Sequence, residues 1–144
     1  MKIIYITTSL EENDYIEFNK LWTVSLNPSN QNFHNKMIRS FALNNPVEVI
    51  SIRPFSKAKC EIKELKADTK AVGNITYNYL KIKRNKVFRL FSLKSQVKDL
   101  IAKIKTDDSI IITDTINPKC VSITNYIQKK FNIPAIGICT DSPS

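Results

Sequence analysis

Three times along these 144 residues a short β-branched apolar run gives way to hydroxyls and carboxylates. Ile3-Ile4-Tyr5-Ile6 runs into Thr7-Thr8-Ser9, Ile110-Ile111-Ile112 into Thr113-Asp114-Thr115, and Ala135-Ile136-Gly137-Ile138-Cys139 into Thr140-Asp141-Ser142. Runs without polar alternation suit strands covered on both faces, as in parallel sheets, and the polar tips bring one end of each strand to a surface. Residues 47–52 make a further strand. Over residues 75–82, Ile75, Tyr77 and Tyr79 alternate with Thr76, Asn78 and Leu80, the pattern of a strand nearer an edge.

Helical periods fall between these runs. Phe33, Met37, Ile38 and Phe41 form one apolar stripe, and Leu93, Val97, Leu100, Ile101 and Ile104 a second. The third, residues 118–131, carries Cys120, Ile123, Ile127 and Phe131 on one side, with Asn117 as N-cap and Pro118 at the first helical position. Alternation of strand and helix through right-handed crossovers predicts an α/β fold: a Rossmann-like open parallel sheet with helices on both faces, in strand order 3-2-1-4-5. One domain spans residues 1–144.

Two stretches interrupt the alternation. Within residues 9–31, Tyr15, Phe18, Leu21 and Trp22 have helical spacing, which predicts a short helix laying its aromatic face on the domain; a lid is the alternative. Residues 56–74 place Lys57, Lys59, Lys63, Lys66 and Lys70 among Glu61, Glu64 and Asp68, a solvated connection with room for a central helix.

Composition removes several classes. Hydrophobic residues at 42% exclude a disordered chain, and Gly73 and Gly137, the only glycines, exclude a collagen-like one. No apolar run approaches the roughly 18 residues of a membrane span, and the first residues lack a secretory signal, so a cytoplasmic location is expected. Cys60, Cys120 and Cys139 show no C-x-x-C spacing, so reduced, mostly buried thiols are expected. The 22 Lys and Arg against 13 Asp and Glu leave a charge of +9. That excess could meet nucleic acid, anionic lipid or a phosphorylated substrate, or follow from a Lys-, Asn- and Ile-rich coding bias.

In an open α/β sheet, ligands bind beyond the carboxyl ends of the strands where strand order reverses, here between the first and fourth strands. That point collects Thr8, Ser9, a helix start around Asn32 and His34, and Asp114, Thr115 and Asn117, with Asp141 one strand along. Short hydroxyls, amides and carboxylates suit a hydroxyl-rich ligand such as a sugar; ordinary capping and turn chemistry is the plainer alternative. The absence of glycine before position 73 argues against a dinucleotide or P-loop phosphate site. There is no G-x-S-x-G elbow and His34 is the only histidine, which disfavours a serine triad. Asp114 and Asp141 could ligate Mg²⁺, but no dense acidic cluster supports a metal centre. His34 either faces the crevice as a titrating group or caps backbone at the surface.

Lys81, Lys83, Arg84, Lys86, Arg89 and Lys94 interleave with Val87, Phe88, Leu90, Phe91 and Leu93. This mixture suits an anionic membrane surface, where apolar groups enter the headgroup boundary and cations meet lipid phosphates. A helix start packed on the sheet with a solvated basic flank is the alternative. No nucleic-acid-binding motif accompanies the charge.

Residues 2–9, the stretch Asn27-Pro28-Ser29-Asn30-Gln31-Asn32-Phe33-His34-Asn35-Lys36-Met37-Ile38-Arg39-Ser40-Phe41, residues 47–54 and residues 133–141 together resemble the N-terminal half of family-four-like GT-B glycosyltransferases. The resemblance implies one of two Rossmann-like domains facing a cleft. This one would hold a sugar or lipid-linked acceptor and no cofactor, while a C-terminal domain, beyond residue 144, would hold the nucleotide-sugar donor. It further implies sugar transfer with retention along a front-face path and a place in cell-envelope polysaccharide synthesis; the basic stretch adds an expected peripheral position on the inner face of the plasma membrane. The half alone would turn over no sugar. Two departures stand out: residues 28–32 replace a Gly-rich turn, and Thr140-Asp141 replaces a strand-tip histidine. Asp141 would then be the catalytic candidate, accepting a hydrogen bond from a sugar hydroxyl. A stand-alone binding or scaffold module, paired with a separate donor-binding chain or docked on anionic membrane, is the competing expectation.

Overall fold

The computed structural model describes residues 1–55, 58–59 and 61–140; Lys57, Cys60, Asp141 and Ser142 lie outside the described residues. The chain runs β1 (Lys2–Thr7), α1 (Glu12–Asn19), α2 (Pro28–Ala42), β2 (Val47–Ser51), β3 (Glu64–Leu65), β4 (Asp68–Val72), β5 (Ile75–Tyr79), β6 (Ile82–Lys83), α3 (Arg89–Ile104), β7 (Ser109–Asp114), α4 (Pro118–Phe131) and β8 (Ala135–Ile138). The main sheet is ordered β4-β5-β2-β1-β7-β8. Its parallel part, β5-β2-β1-β7-β8, is the expected order, with β1 paired to β2 on one side and β7 on the other. Tyr5 sits opposite Val49 and Ile112 at the centre of that register.

The β-branched run of β1 has no exposed side: Ile3, Ile4, Tyr5 and Ile6 are all buried. Side chains alternate across a strand, so a strand with no polar positions has to be covered on both faces. One cover is α2, which packs on β1, β2 and β5 through buried Ile38; the other is the α3–α4 pair, with α4 resting on β7 and β1. Each such fully buried aliphatic side chain contributes about 1.5–3 kcal/mol relative to exposure.

β5 lies near the edge as expected, one strand in, because β4 pairs antiparallel with it through a turn at Gly73, whose φ of +58° suits a residue without Cβ. Three expectations need correction. Residues 56–74 carry strands β3 and β4 rather than a helix among the described residues. Among the described residues β8 is the strand at the opposite edge, and it is only half covered, with Ile136 exposed. Cys139 just after it is exposed, whereas Cys120 is buried.

Within residues 9–31, α1 forms as its spacing predicts. Phe18 meets Trp22 edge to face at 5.2 Å, and Trp22 lies 5.3 Å from the Phe55 ring. Leu21 stays exposed. The segment is tied to α2 rather than hung as a flap: Gln31 accepts from the Leu10 N–H at 2.9 Å, and Gln31 and Asn35 both donate to the Leu10 carbonyl.

Candidate functional site

Beyond the carboxyl ends of β1 and β7 lies an open crevice of about 400 Å³, lined by Thr8, Asn27, Asn30, Phe33, Asp114 and Asn117 among others. That volume falls in the range of small-molecule sites, about 300–1,000 Å³. Two helix starts of the same construction border it. Asn27 precedes Pro28 and accepts from the N–H groups of Ser29 and Asn30 at 3.0 and 3.3 Å; Asn117 precedes Pro118 and accepts from those of Lys119 and Cys120 at 3.0 and 3.4 Å. The positive ends of both helix dipoles thus meet at one rim.

Asp114, the last residue of β7, forms the buried wall of the crevice. One carboxylate oxygen accepts from the Ile116 N–H at 2.9 Å, and the other lies 3.3 Å from His34 Nε2. Behind it, His34 Nδ1 lies 2.8 Å from the Tyr5 hydroxyl. Burial pushes the Asp114 carboxyl up, but contacts with His34, the Ile116 N–H and Asn30 together outweigh it and hold the group below the ordinary carboxylate value. Burial, and then the Asp114 charge, push the Tyr5 hydroxyl far above its usual value, so it stays protonated. An ionised Asp114 favours a proton on His34 Nε2, which leaves Nδ1 to accept from Tyr5. The Nε2–Oδ2 approach has ion-pair distance without hydrogen-bond alignment.

The residues expected at this rim divide. Thr8, Asp114 and Asn117 line the crevice. Ser9 is buried, its hydroxyl accepting from Thr7 at 3.3 Å, and it borders a smaller adjoining hollow. Thr115 turns its hydroxyl to the Ile138 carbonyl at 2.9 Å and ties the end of β7 to β8. Asn32 lies outside the crevice, in a groove with Glu12, Lys36 and Arg39. His34 is neither at the surface nor a cap: it is wholly buried in the second turn of α2, because the helix begins at Pro28 and not near Asn32. Asp141 lies outside the described residues, one position past Thr140, which does line the crevice.

Sequence reasoning passed over Tyr5, Asn27, Ser29, Asn30 and Phe33. Tyr5 read as one more apolar strand residue, and Phe33 as part of a packed stripe, although it is 37% exposed and offers the crevice a ring. The Asn-Pro pair at 27–28 was legible, since it repeats the signal at 117–118.

The basic stretch divides too. Lys81, Lys83, Arg84 and Lys86 are exposed, and Lys81 pairs with Glu64 at 3.3 Å. Val87, Phe88 and Phe91 stand out from the surface, each more than 70% exposed, while Leu93 is buried. Arg89 turns inward, donating to the carbonyls of Lys83 at 3.0 Å and Arg84 at 2.7 Å. Among the described residues no helix is long and apolar enough to cross a membrane, and no three His, Cys, Asp or Glu side chains gather as a metal site. Comparison of the chain with family models, curated proteins and solved structures finds no significant match.

Proposed function

We propose that this chain is the acceptor-binding domain of a glycosyltransferase, one that moves a sugar from a nucleotide-sugar donor to a glycan or lipid-linked acceptor with retention. The observation that carries this reading is Asp114, a carboxylate held ionised in the wall of a crevice whose other polar lining is hydroxyls and amides. Such a group accepts strongly from sugar hydroxyls, and the amides of Asn30 and Asn117 can add directional bonds. The exposed faces of Phe33 and Ile116 supply apolar area for the C–H face of a pyranose ring. On this reading the domain orients an acceptor and excludes water while a second Rossmann-like domain facing the rim presents the donor. The leaving diphosphate would then take the acceptor proton, and no side chain here need form a covalent intermediate.

The test is a titration of the 144-residue chain with methyl glycosides of common hexoses and N-acetylhexosamines, read by amide chemical shifts. Shifts confined to Thr8, Asn30, Asp114 and Asn117, lost in Asp114→Asn, are expected. Selective binding of a nucleotide sugar in the crevice, with no response to any glycoside, would overturn the reading.

A second reading, docking on anionic membrane, draws on the exposed Val87, Phe88 and Phe91 set among Lys83, Arg84 and Lys86. Co-sedimentation with phosphatidylglycerol vesicles, absent with phosphatidylcholine alone and reduced in Phe88→Ser, is its expected result. Equal binding to both vesicle types would remove it.

A further inference from the structure

Next to the crevice, and sharing Thr8 and Asn117 with it, lies a smaller pocket of about 120 Å³ whose polar lining is dominated by Arg53, Arg89 and Lys119. None of its described lining residues is acidic, and none of these three cations enters an ion pair among the described residues. Cations brought together without a carboxylate repel one another, so the arrangement is poorly explained by stability alone.

We infer that this pocket is an anion subsite that takes a phosphate group carried by the acceptor, with the attached sugar lying toward Asp114.

Four features support it. First, both guanidinium groups are fixed before any ligand arrives. Arg53 donates to the carbonyls of Lys66 and Leu80 and lies over the Tyr79 ring; Arg89 donates to Lys83 and Arg84 and lies over the Phe55 ring. Those bonds occupy only part of each five-donor fork, so the rest can meet an oxyanion with little further ordering. Second, Arg53 Nε is buried and has no acceptor among the described residues. An orphaned charged donor beside a cavity points to a bound group as its acceptor. Third, Lys119 stands in the first turn of α4, at the positive end of the helix dipole, while the amides there are already capped by Asn117. The side-chain cations, rather than free helix amides, would therefore hold the anion. Fourth, partial burial, and then the charges of Arg89 and Lys86, lower the Lys119 ammonium, and burial lowers Arg89. Burial also lowers Arg53, against weaker opposite pulls from Tyr79, Asp68 and Asp14. An arriving phosphate relieves the repulsion that Lys119 meets from Arg89 and Lys86.

The pocket is too small for a sugar ring and opens beside one that is not. Charge along the rim is therefore divided by Asn117, with an acceptor of hydroxyl protons on one side and donors to an oxyanion on the other. This matches a sugar phosphate or a phosphate-linked glycolipid, and it rests on the acceptor-binding reading above only for the sugar half.

The experiment compares inorganic phosphate, glucose 1-phosphate, methyl glucoside and vesicles containing phosphatidic acid as ligands of the 144-residue chain, by amide shifts and calorimetry. Glucose 1-phosphate is expected to bind at least about tenfold more tightly than methyl glucoside, as expected for added charge-assisted hydrogen bonds. Lys119→Gln and Arg53→Lys should each remove most of that gain, Lys119→Arg should retain it, and Lys103→Gln, on the far end of α3, should leave it unchanged. Binding confined to phosphatidic acid vesicles with the same dependence on Lys119 and Arg53 would support the subsite and name lipid as its source. Phosphate binding that depends on Lys119 and Arg53 without any response to a sugar would uphold the subsite and overturn the sugar-acceptor reading. Equal affinity for glucose 1-phosphate and methyl glucoside, or phosphate binding indifferent to Lys119 and Arg53, would overturn the subsite and leave the sugar reading standing. Circular dichroism of each variant separates lost binding from lost fold.

Discussion

His34 Nε2 stands 3.3 Å from Asp114 Oδ2, with both side chains sealed from solvent except where Asp114 meets the crevice. The pair joins two elements far apart in sequence, the second turn of α2 and the tip of β7, beneath the proposed ligand. Tyr5 on the central strand completes the connection at 2.8 Å from the other ring nitrogen. A group that the ligand can touch is thereby oriented by groups that it cannot.

His34→Phe keeps a ring of similar size but leaves the Tyr5 hydroxyl and the Asp114 carboxylate without their partner. A buried polar group stripped of its partner costs about 1–3 kcal/mol, so urea denaturation at neutral pH should show a loss of that order. The pH dependence is more specific. In the native chain Asp114 has a folded pKa below its unfolded value of about 3.9, so its contribution is complete above that value and is lost as pH falls through the folded one. In the variant the share of that contribution supplied by His34 is gone, while those of the Ile116 N–H and Asn30 remain. The stability gap between the two proteins should narrow as pH is lowered below about 4. A gap that stays constant from pH 7 to pH 3 in thermal melts would mean that His34 does not act on this carboxylate.

Gly137 in β8 has an ordinary backbone conformation, so its lack of a side chain answers to a neighbour. A Cβ placed there would overlap the methyl carbon of Thr115, whose hydroxyl is held by the Ile138 carbonyl. Gly137→Ala should destabilise the domain by about 1–3 kcal/mol through overpacking. Adding Thr115→Ser, which removes the methyl and keeps the hydroxyl, should recover most of the loss. Double-mutant-cycle denaturation checks this, and simple additivity of the two changes would contradict it.

Tyr79 at the end of β5 accepts from the Glu11 N–H at 3.0 Å and donates to Asp14 at 2.6 Å, tying α1 to the sheet. Burial, followed by the Asp14 hydrogen bond, pushes its hydroxyl well above the usual value. Tyr79→Phe leaves the Glu11 amide without an acceptor and should cost about 1–3 kcal/mol. Hydrogen exchange in α1 should quicken more than in α4, which shares none of these contacts; a uniform change would count against a local tie.

Trp22 is the only tryptophan and is 2% exposed between Phe18 and Phe55. Its emission should be that of an apolar site and shift red in step with global unfolding. Trp22→Ala should cost about 3–5 kcal/mol. Red-shifted emission in the native protein would mean that the α1 segment moves away from the sheet.

Strand order and the helix over Pro118–Phe131 could be read from the chain because each rests on a local, repeated signal: unalternated β-branched runs, 3.6-residue stripes and an Asn-Pro start. The same Asn-Pro signal at 27–28 marks the true start of α2 and would have moved His34 inward by more than a turn. β4 escaped notice because its burial pattern has no apolar face; Asp68, Thr69, Ala71 and Val72 are exposed, and pairing with β5 alone makes it a strand.

What the chain settles unaided is the layer architecture and the polar character of the rim, since both follow from near-neighbour spacing of residue types. Which rim residues meet, that His34 lies under Asp114 rather than beside it, and that Arg53, Arg89 and Lys119 share one pocket were decided only by tertiary structure. Those contacts join residues tens of positions apart, and their geometry depends on crossover paths and side-chain packing that no local pattern encodes.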